Sequence, residues 1–198
     1  VAAIQRSIDS AVSAAFGAFR KDHTAEVVEA VASSLPPVTR TVRADSVFPP
    51  EACRYGRAKF GSLQVQVWDD AAAPSIVADY VFQPKHLHQA LLALDGTLPH
   101  NCWLAGERGT GKTEFVTQIA ARLQRRLVRV NFDEALERAD FIGGNTIENG
   151  SVVWKGGIIT QAIQHPGTIV LLDEVGFARP TAVAVLHSLC ERSPNRSL

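Results

Sequence analysis

The chain has 198 residues, of which 46% are apolar and 20% charged, enough to bury a core and unlike a disordered tail. Lys+Arg and Asp+Glu both number 20, which excludes a global basic field for nucleic acid and a polyanionic tail, although a local basic patch fits a neutral total. No apolar run approaches the ~20 residues of a membrane span, the first residues lack a signal-peptide core, and a reducing cytosol is the default compartment.

Cys53, Cys102 and Cys190 are odd in number and widely spaced, so they make neither a disulfide framework nor a zinc pattern and are expected to be small buried thiols. The chain begins with Val1 and has no Met, which reads as a trimmed start, a non-standard start or an excerpt.

Residues 1–35 are predicted to be a helical segment. Ile4, Ile8, Val12, Phe16 and Phe19 fall near one face, and Val27, Val28 and Val31 continue the stripe. Thr24 is a candidate N-cap for a second helix, and Pro36-Pro37 stops it. A docking or oligomerisation pair and an ordinary packing pair both fit this pattern. Residues 36–78 read as a linker with short strands. Leu63, Val65 and Val67 alternate with Gln64 and Gln66, which predicts a half-buried strand. Arg54, Arg57 and Lys59 form either a small basic cluster or a solvated loop.

The largest unit, residues 79–198, opens at Tyr80-Val81-Phe82. Pro84 suits a first helical turn, and Leu87, Leu91, Leu92 and Leu94 predict an amphipathic helix. His86 and His88, two apart, do not share a face and are expected to be surface or packing residues. Residues 101–105 then read as a short buried strand. Gly106, Glu107, Arg108, Gly109, Thr110, Gly111, Lys112 and Thr113 follow as GERGTGKT, fitting G-x-x-x-x-G-K-[ST], the phosphate-binding P-loop. Its glycines let successive N–H groups turn toward phosphate oxygens, Lys112 reaches the β- and γ-phosphates, and the Thr113 hydroxyl is placed to ligate Mg²⁺. Helical spacing over 114–123 completes the strand–loop–helix setting, with Glu114 opening that helix.

Residues 127–130 are predicted as the second core strand, ending at Asn131. That residue is either a turn former or a polar group at the strand end where ligands of open α/β sheets bind. Asn149-Gly150 between β-prone runs predicts a type I′ hairpin pairing Ile147 with Val152. A helix is expected over 158–164. The apolar run 168–172 is what a strand buried on both faces looks like. It exits into Asp173-Glu174, two carboxylates that need a cation or hydrogen bonds beside such a core. This is a Walker B pattern, in which Asp173 would hold Mg²⁺ and Glu174 would position and polarise the attacking water. A last helix is expected over 180–190.

Taken together, the P-loop, the Asp-Glu strand exit, the polar strand end at Val130-Asn131, Arg138 to Gly143, the hairpin to Gly157 and LLDEVGFARP (171–180) resemble the AAA+ ATPases. The match looks closest to the MoxR-type and cobaltochelatase small-ATPase-subunit group, and it covers roughly residues 78 to 192. The resemblance implies a P-loop NTPase α/β fold with a three-layer αβα core, ATP and Mg²⁺ as cofactors, and self-association into a hexameric ring acting on a protein client. It also implies that Asn131 restrains catalytic Glu174 until substrate engages, that the hairpin faces the ring pore, and that Tyr80 and Val81 lie near the adenine. The family's sheet has five strands, and only three are legible here. The fourth strand, arginine finger, lid and sensor residues would come after Leu198, so this core is expected to be incomplete, with an open strand edge and slow turnover. Two other readings stand beside it, a nucleotide-binding scaffold without turnover and a DNA-directed loader or helicase. The second is disfavoured because the hairpin offers only Lys155 against Glu148.

Overall fold

The computed structural model describes residues 39–55, 58–94, 101–133 and 135–181, together with 184, 186 and 190. The helical expectation for 1–35, most of the last helix and the polar end of the chain lie outside the described residues.

Residues 40–67 form two antiparallel pairs. Strand β1 (Arg40–Arg43) precedes β2 (Arg54–Tyr55), β3 (Ala58–Lys59) and β4 (Gln64–Val67), with β1 paired to β4 and β2 to β3. In β4 the expected alternation is present, Val65 and Val67 buried and Gln64 and Gln66 exposed. This stretch is more than a tether. Phe48, Cys53, Phe60, Val65 and Val67 share one apolar core with Leu87 and Leu91 of α1 (Pro84–Leu94) and with Phe115 and Ile119 of α2 (Lys112–Arg122). Pro84 opens α1 as expected, a position where the missing N–H costs nothing. His88 stacks on Phe60 with ring centroids 4.5 Å apart, a packing role.

Between β4 and α1 the chain is strapped to α2 by two buried polar side chains that the apolar pattern did not flag. Gln118 is 1% exposed and Arg122 7%. The Gln118 amide oxygen accepts from Val77 N–H (2.9 Å) and Arg122 Nη1 (2.8 Å), and its Nε2 donates to Glu114 Oε1 (2.9 Å) and Ser75 O (3.3 Å). Arg122 adds a bond from Nη2 to Val77 O (3.1 Å) and lies 4.9 Å from the Phe82 ring centroid. Every hydrogen-bonding valence of Gln118 is therefore used. Just past the end of that helix, the Trp68 backbone N–H donates to Leu123 O (3.0 Å) and the Arg125 guanidinium rests over the Trp68 ring. Arg125 is buried with its Nε unpaired, and burial pushes its pKa down to about 10.

The sheet next to the P-loop helix is narrower than the sequence suggests. Strand β5 (Leu127–Asn131) is followed by α3 (Arg138–Ile142), β6 (Gly143–Glu148), β7 (Ser151–Gly156), α4 (Ile158–Ile163) and β8 (Ile169–Asp173). β5 and β8 pair in parallel, Leu127 opposite Ile169 through Asn131 opposite Asp173. Ile169 packs into the α2-side core, whereas Val170 and Leu172 pack with Val130, Phe132, Phe141 and Ile159 in a second core. Successive strand residues point to opposite faces, so helices cover both sides of this sheet and the layer order is that of a P-loop α/β fold. β8 is half-buried along its whole length, where a fully buried strand was expected.

The cause is its second edge. Residues 101–105 form no strand and pair with none among the described residues, and Trp103 is 79% exposed. A run of β-prone residues becomes a strand only when its N–H and C=O groups find a ladder, and among the described residues β8 pairs with β5 alone. The expectation of a short buried strand there is corrected accordingly. Exposure also corrects the thiols: Cys53 is buried, whereas Cys102 and Cys190 are exposed.

The hairpin is as the sequence predicts. Asn149 and Gly150 have φ of 51° and 79°, the positive pair of a type I′ turn, and Ile147 pairs with Val152. Among the described residues no helix is long and apolar enough to cross a membrane.

Gln118→Leu keeps the shape but leaves the Val77 N–H and Arg122 Nη1 without their acceptor. The expected cost is about 2 kcal/mol or more, read as a lower urea midpoint with an unchanged m-value.

Candidate active site

The P-loop turns from residue 106 into α2 through Gly109 (φ 76°) and Gly111 (φ 80°), conformations that residues with a Cβ avoid. Helix α2 starts at Lys112, two residues earlier than the apolar spacing indicated. Inside the loop, Lys112 Nζ donates to Gly106 O (3.0 Å) and Glu107 O (2.7 Å), and Thr110 Oγ1 donates to Glu107 O (2.9 Å). The ammonium thus rests on two carbonyls that phosphate oxygens could replace.

Face parity brings the strand ends to this loop. Asp173 lies on the α2 side of the sheet, the same side as Ile169, and its Oδ2 accepts the Thr113 hydroxyl at 2.8 Å. Arg129 and Asn131 of β5 are opposite Leu171 and Asp173 and share that side. Arg129 Nη2 lies 2.8 Å from the same Oδ2. Asp173 Oδ1 accepts the Glu174 N–H at 3.0 Å. The Thr113 hydroxyl, and after it the Arg129 charge and the Glu174 N–H, hold the Asp173 carboxyl below the usual carboxylate range against partial desolvation.

Glu174 sits at φ 56°, ψ 33°, a left-handed conformation uncommon outside glycine and Asn. Its carboxylate is half-exposed and lies 3.9 Å from Arg108 of the P-loop, which also sits 5.1 Å from the Phe177 ring centroid. Asn131 is exposed and reaches the strand end one residue from Glu174, but among the described contacts the partner of Glu174 is Arg108. Tyr80 packs edge-on to Phe82 and is half-buried beside the α2 strap, whereas Val81 is 85% exposed. Glu114, in the first turn of α2, is turned to Gln118. Arg129 is what the sequence reading passed over, and Arg108, read there as a P-loop residue, adds its contact to Glu174. A two-residue period counted from Asp173 across the β5 register would have found Arg129.

One hydroxyl, one carboxylate and one ammonium converging at a helix N-terminus suit a hard cation and a phosphate chain, since magnesium takes oxygen donors and keeps phosphates as partners.

Residues 101–195 match the family model of the AAA domain, dynein-related subfamily. This segment is an AAA domain. The kinship read from the motifs, to the MoxR-type and cobaltochelatase group, is borne out by the relatives that align with it. Protein NorQ of Paracoccus denitrificans (strain Pd 1222) is 43% identical over 88 residues, covering 44% of this chain and 32% of that protein. Aerobic cobaltochelatase subunit CobS of Sinorhizobium sp. is 34% identical over 135 residues, covering 65% and 39%. Denitrification regulatory protein NirQ of Stutzerimonas stutzeri is 38% identical over 88 residues, covering 44% and 32%. The chain therefore spans about a third of the length of these relatives. An AAA domain has the P-loop NTPase α/β fold, here with two of its strands paired.

Thr113→Val removes the largest cause of the low Asp173 pKa and should return that carboxyl toward its ordinary value. A depressed carboxylate stabilises the fold above its unfolded pKa of ~3.9, and this stability is lost as pH falls through the lowered folded value. The variant should be less stable than wild type at pH 7, by about 1 kcal/mol. The difference should shrink toward pH 3. Urea unfolding at the two pH values measures it.

Proposed function

We propose that this AAA domain binds ATP with Mg²⁺ and hydrolyses it as part of a hexameric ring that remodels a partner protein. The observation carrying the proposal is the Thr113–Asp173 hydrogen bond of 2.8 Å, which joins the P-loop to the strand exit on one side of the sheet. Residues 106–114 would hold the phosphates, with Lys112 exchanging its two carbonyls for β- and γ-oxygens. Thr113 and Asp173 would hold the metal, which when bound neutralises phosphate charge. Glu174 would orient water for attack. Asn131 at the neighbouring strand end and Arg108 beside Glu174 would restrain that carboxylate before the partner engages. Tyr80 and Val81 would border the adenine, carried there by the strap on Gln118 and Arg122.

The partner reading rests on the hairpin of β6 and β7. Ile147, Val152 and Trp154 stand exposed on it, and an apolar projection suits a protein surface better than a phosphate backbone. Names among the relatives, a cobaltochelatase subunit and a denitrification regulatory protein, support action on another protein.

At ATP a hundredfold above Kd with Mg²⁺, binding should stabilise the chain by ~2.7 kcal/mol, roughly 5–10 °C in melting temperature for this length. Lys112→Ala should abolish the shift. Glu174→Gln should keep it and remove phosphate release in the assembled ATPase. An unchanged shift in Lys112→Ala would overturn the site, and equal loss of binding in Glu174→Gln and Asp173→Asn would overturn the separate roles.

A further inference from the structure

Arg129 is a basic side chain on the metal-facing carboxylate, and the reading above gives it no role. We infer that it is a resident cation: its guanidinium occupies the Asp173 carboxylate when no metal is there and withdraws when the nucleotide brings one. The inference rests on the nucleotide–metal reading of the site and adds a rule for how the metal enters.

The argument starts from lone pairs. A carboxylate oxygen has room for two close partners, and Asp173 Oδ2 has two, a hydrogen bond from Thr113 Oγ1 and an ion pair with Arg129 Nη2, each at 2.8 Å. The hydroxyl bond is compatible with a metal, since a threonine oxygen can ligate a cation through a lone pair while its O–H still donates to the carboxylate. The guanidinium bond is not. A dication on Oδ2 would sit within a few ångströms of a full positive charge, and like charges at that range repel whatever the local dielectric.

Accessibility says which partner moves. The Asp173 side chain is 17% exposed and held at Oδ1 by the Glu174 N–H, whereas the Arg129 side chain, in the middle of β5, is 53% exposed. Arg129 can swing into water at small cost, and the carboxylate cannot follow. No other acceptor holds the Arg129 guanidinium among the described residues.

The consequence is selective loading. With Arg129 in place the strand end is neutralised, and a bare divalent cation gains little from Asp173. The phosphates of a bound nucleotide supply the extra negative charge that tips the exchange. Arg129 therefore discourages metal binding to the empty site and ties metal entry to nucleotide entry.

The experiment titrates Mn²⁺ into the nucleotide-free chain and follows the loss of free-ion EPR signal, with wild type, Arg129→Gln and Arg129→Lys in parallel. ADP affinity is measured in EDTA for all three. Arg129→Gln should bind Mn²⁺ about fivefold more tightly, the measure of a half-exposed ion pair. Arg129→Lys, which keeps the charge, should stay within about twofold of wild type, and metal-free ADP affinity should not change. Unchanged or weaker Mn²⁺ binding in Arg129→Gln, with ADP still bound, overturns the inference and leaves the nucleotide reading standing. Wild type that fails to bind ADP overturns the nucleotide reading itself. Should Arg129→Gln misfold, a wild-type structure with ADP and Mg²⁺ decides: the inference requires the Arg129–Asp173 bond to be broken there, and its persistence overturns it.

Discussion

Helix α2 runs eleven residues, and Phe115, Gln118, Ile119, Ala120, Ala121 and Arg122 are all buried. A helix with so much of its circumference withdrawn from water needs neighbours on several sides, and two of the buried side chains are polar and must be paired. Those demands recruit the rest. Strands β1 to β4 and helix α1 close the apolar part, and the strap around Val77 satisfies Gln118 and Arg122. Residues 127–131 and 169–173 supply the remaining side. Because α2 is anchored along its length, its first residues are held still, and Lys112 and Thr113 sit on that anchored end.

The chemistry sits where two parities meet. Side chains alternate along β8, so a strand that gives Val170 and Leu172 to the second core delivers Asp173 to the α2 side. The register of β5 against β8 adds Arg129 and Asn131 to the same side. One parallel pair and one helix end therefore suffice to assemble hydroxyl, carboxylate, amide and guanidinium.

What could be read in the sequence was local. The P-loop, the Asn149-Gly150 turn and the Ile147–Val152 pair depend on residues a few positions apart, and all three appear as expected. Strands β5 and β8 were legible from their apolar runs, and the Asp-Glu exit from its contrast with them. Non-local pairing was not legible. Residues 101–105 have a strand's composition, yet pairing depends on what lies alongside, and nothing in five residues encodes that. Residues 36–78 read as a linker because composition changes there, but composition does not record that Phe48, Phe60 and Val65 are buried against α1 and α2. Gln118, Arg122 and Arg129 look like ordinary surface residues until the elements facing them are placed.

The backbone at Glu174 has one more implication. A left-handed conformation at a residue with a Cβ costs on the order of 1 kcal/mol, and glycine would adopt it freely. The position that presents the carboxylate is therefore one where the fold would be more stable with the carboxylate gone. Selection for stability alone would drift this site toward glycine or Asn, and the water-orienting role proposed for Glu174 would oppose that drift. On the proposed role, a screen of variants for heat resistance would recover proteins lacking this carboxylate preferentially, and stability and activity would pull in opposite directions at residue 174.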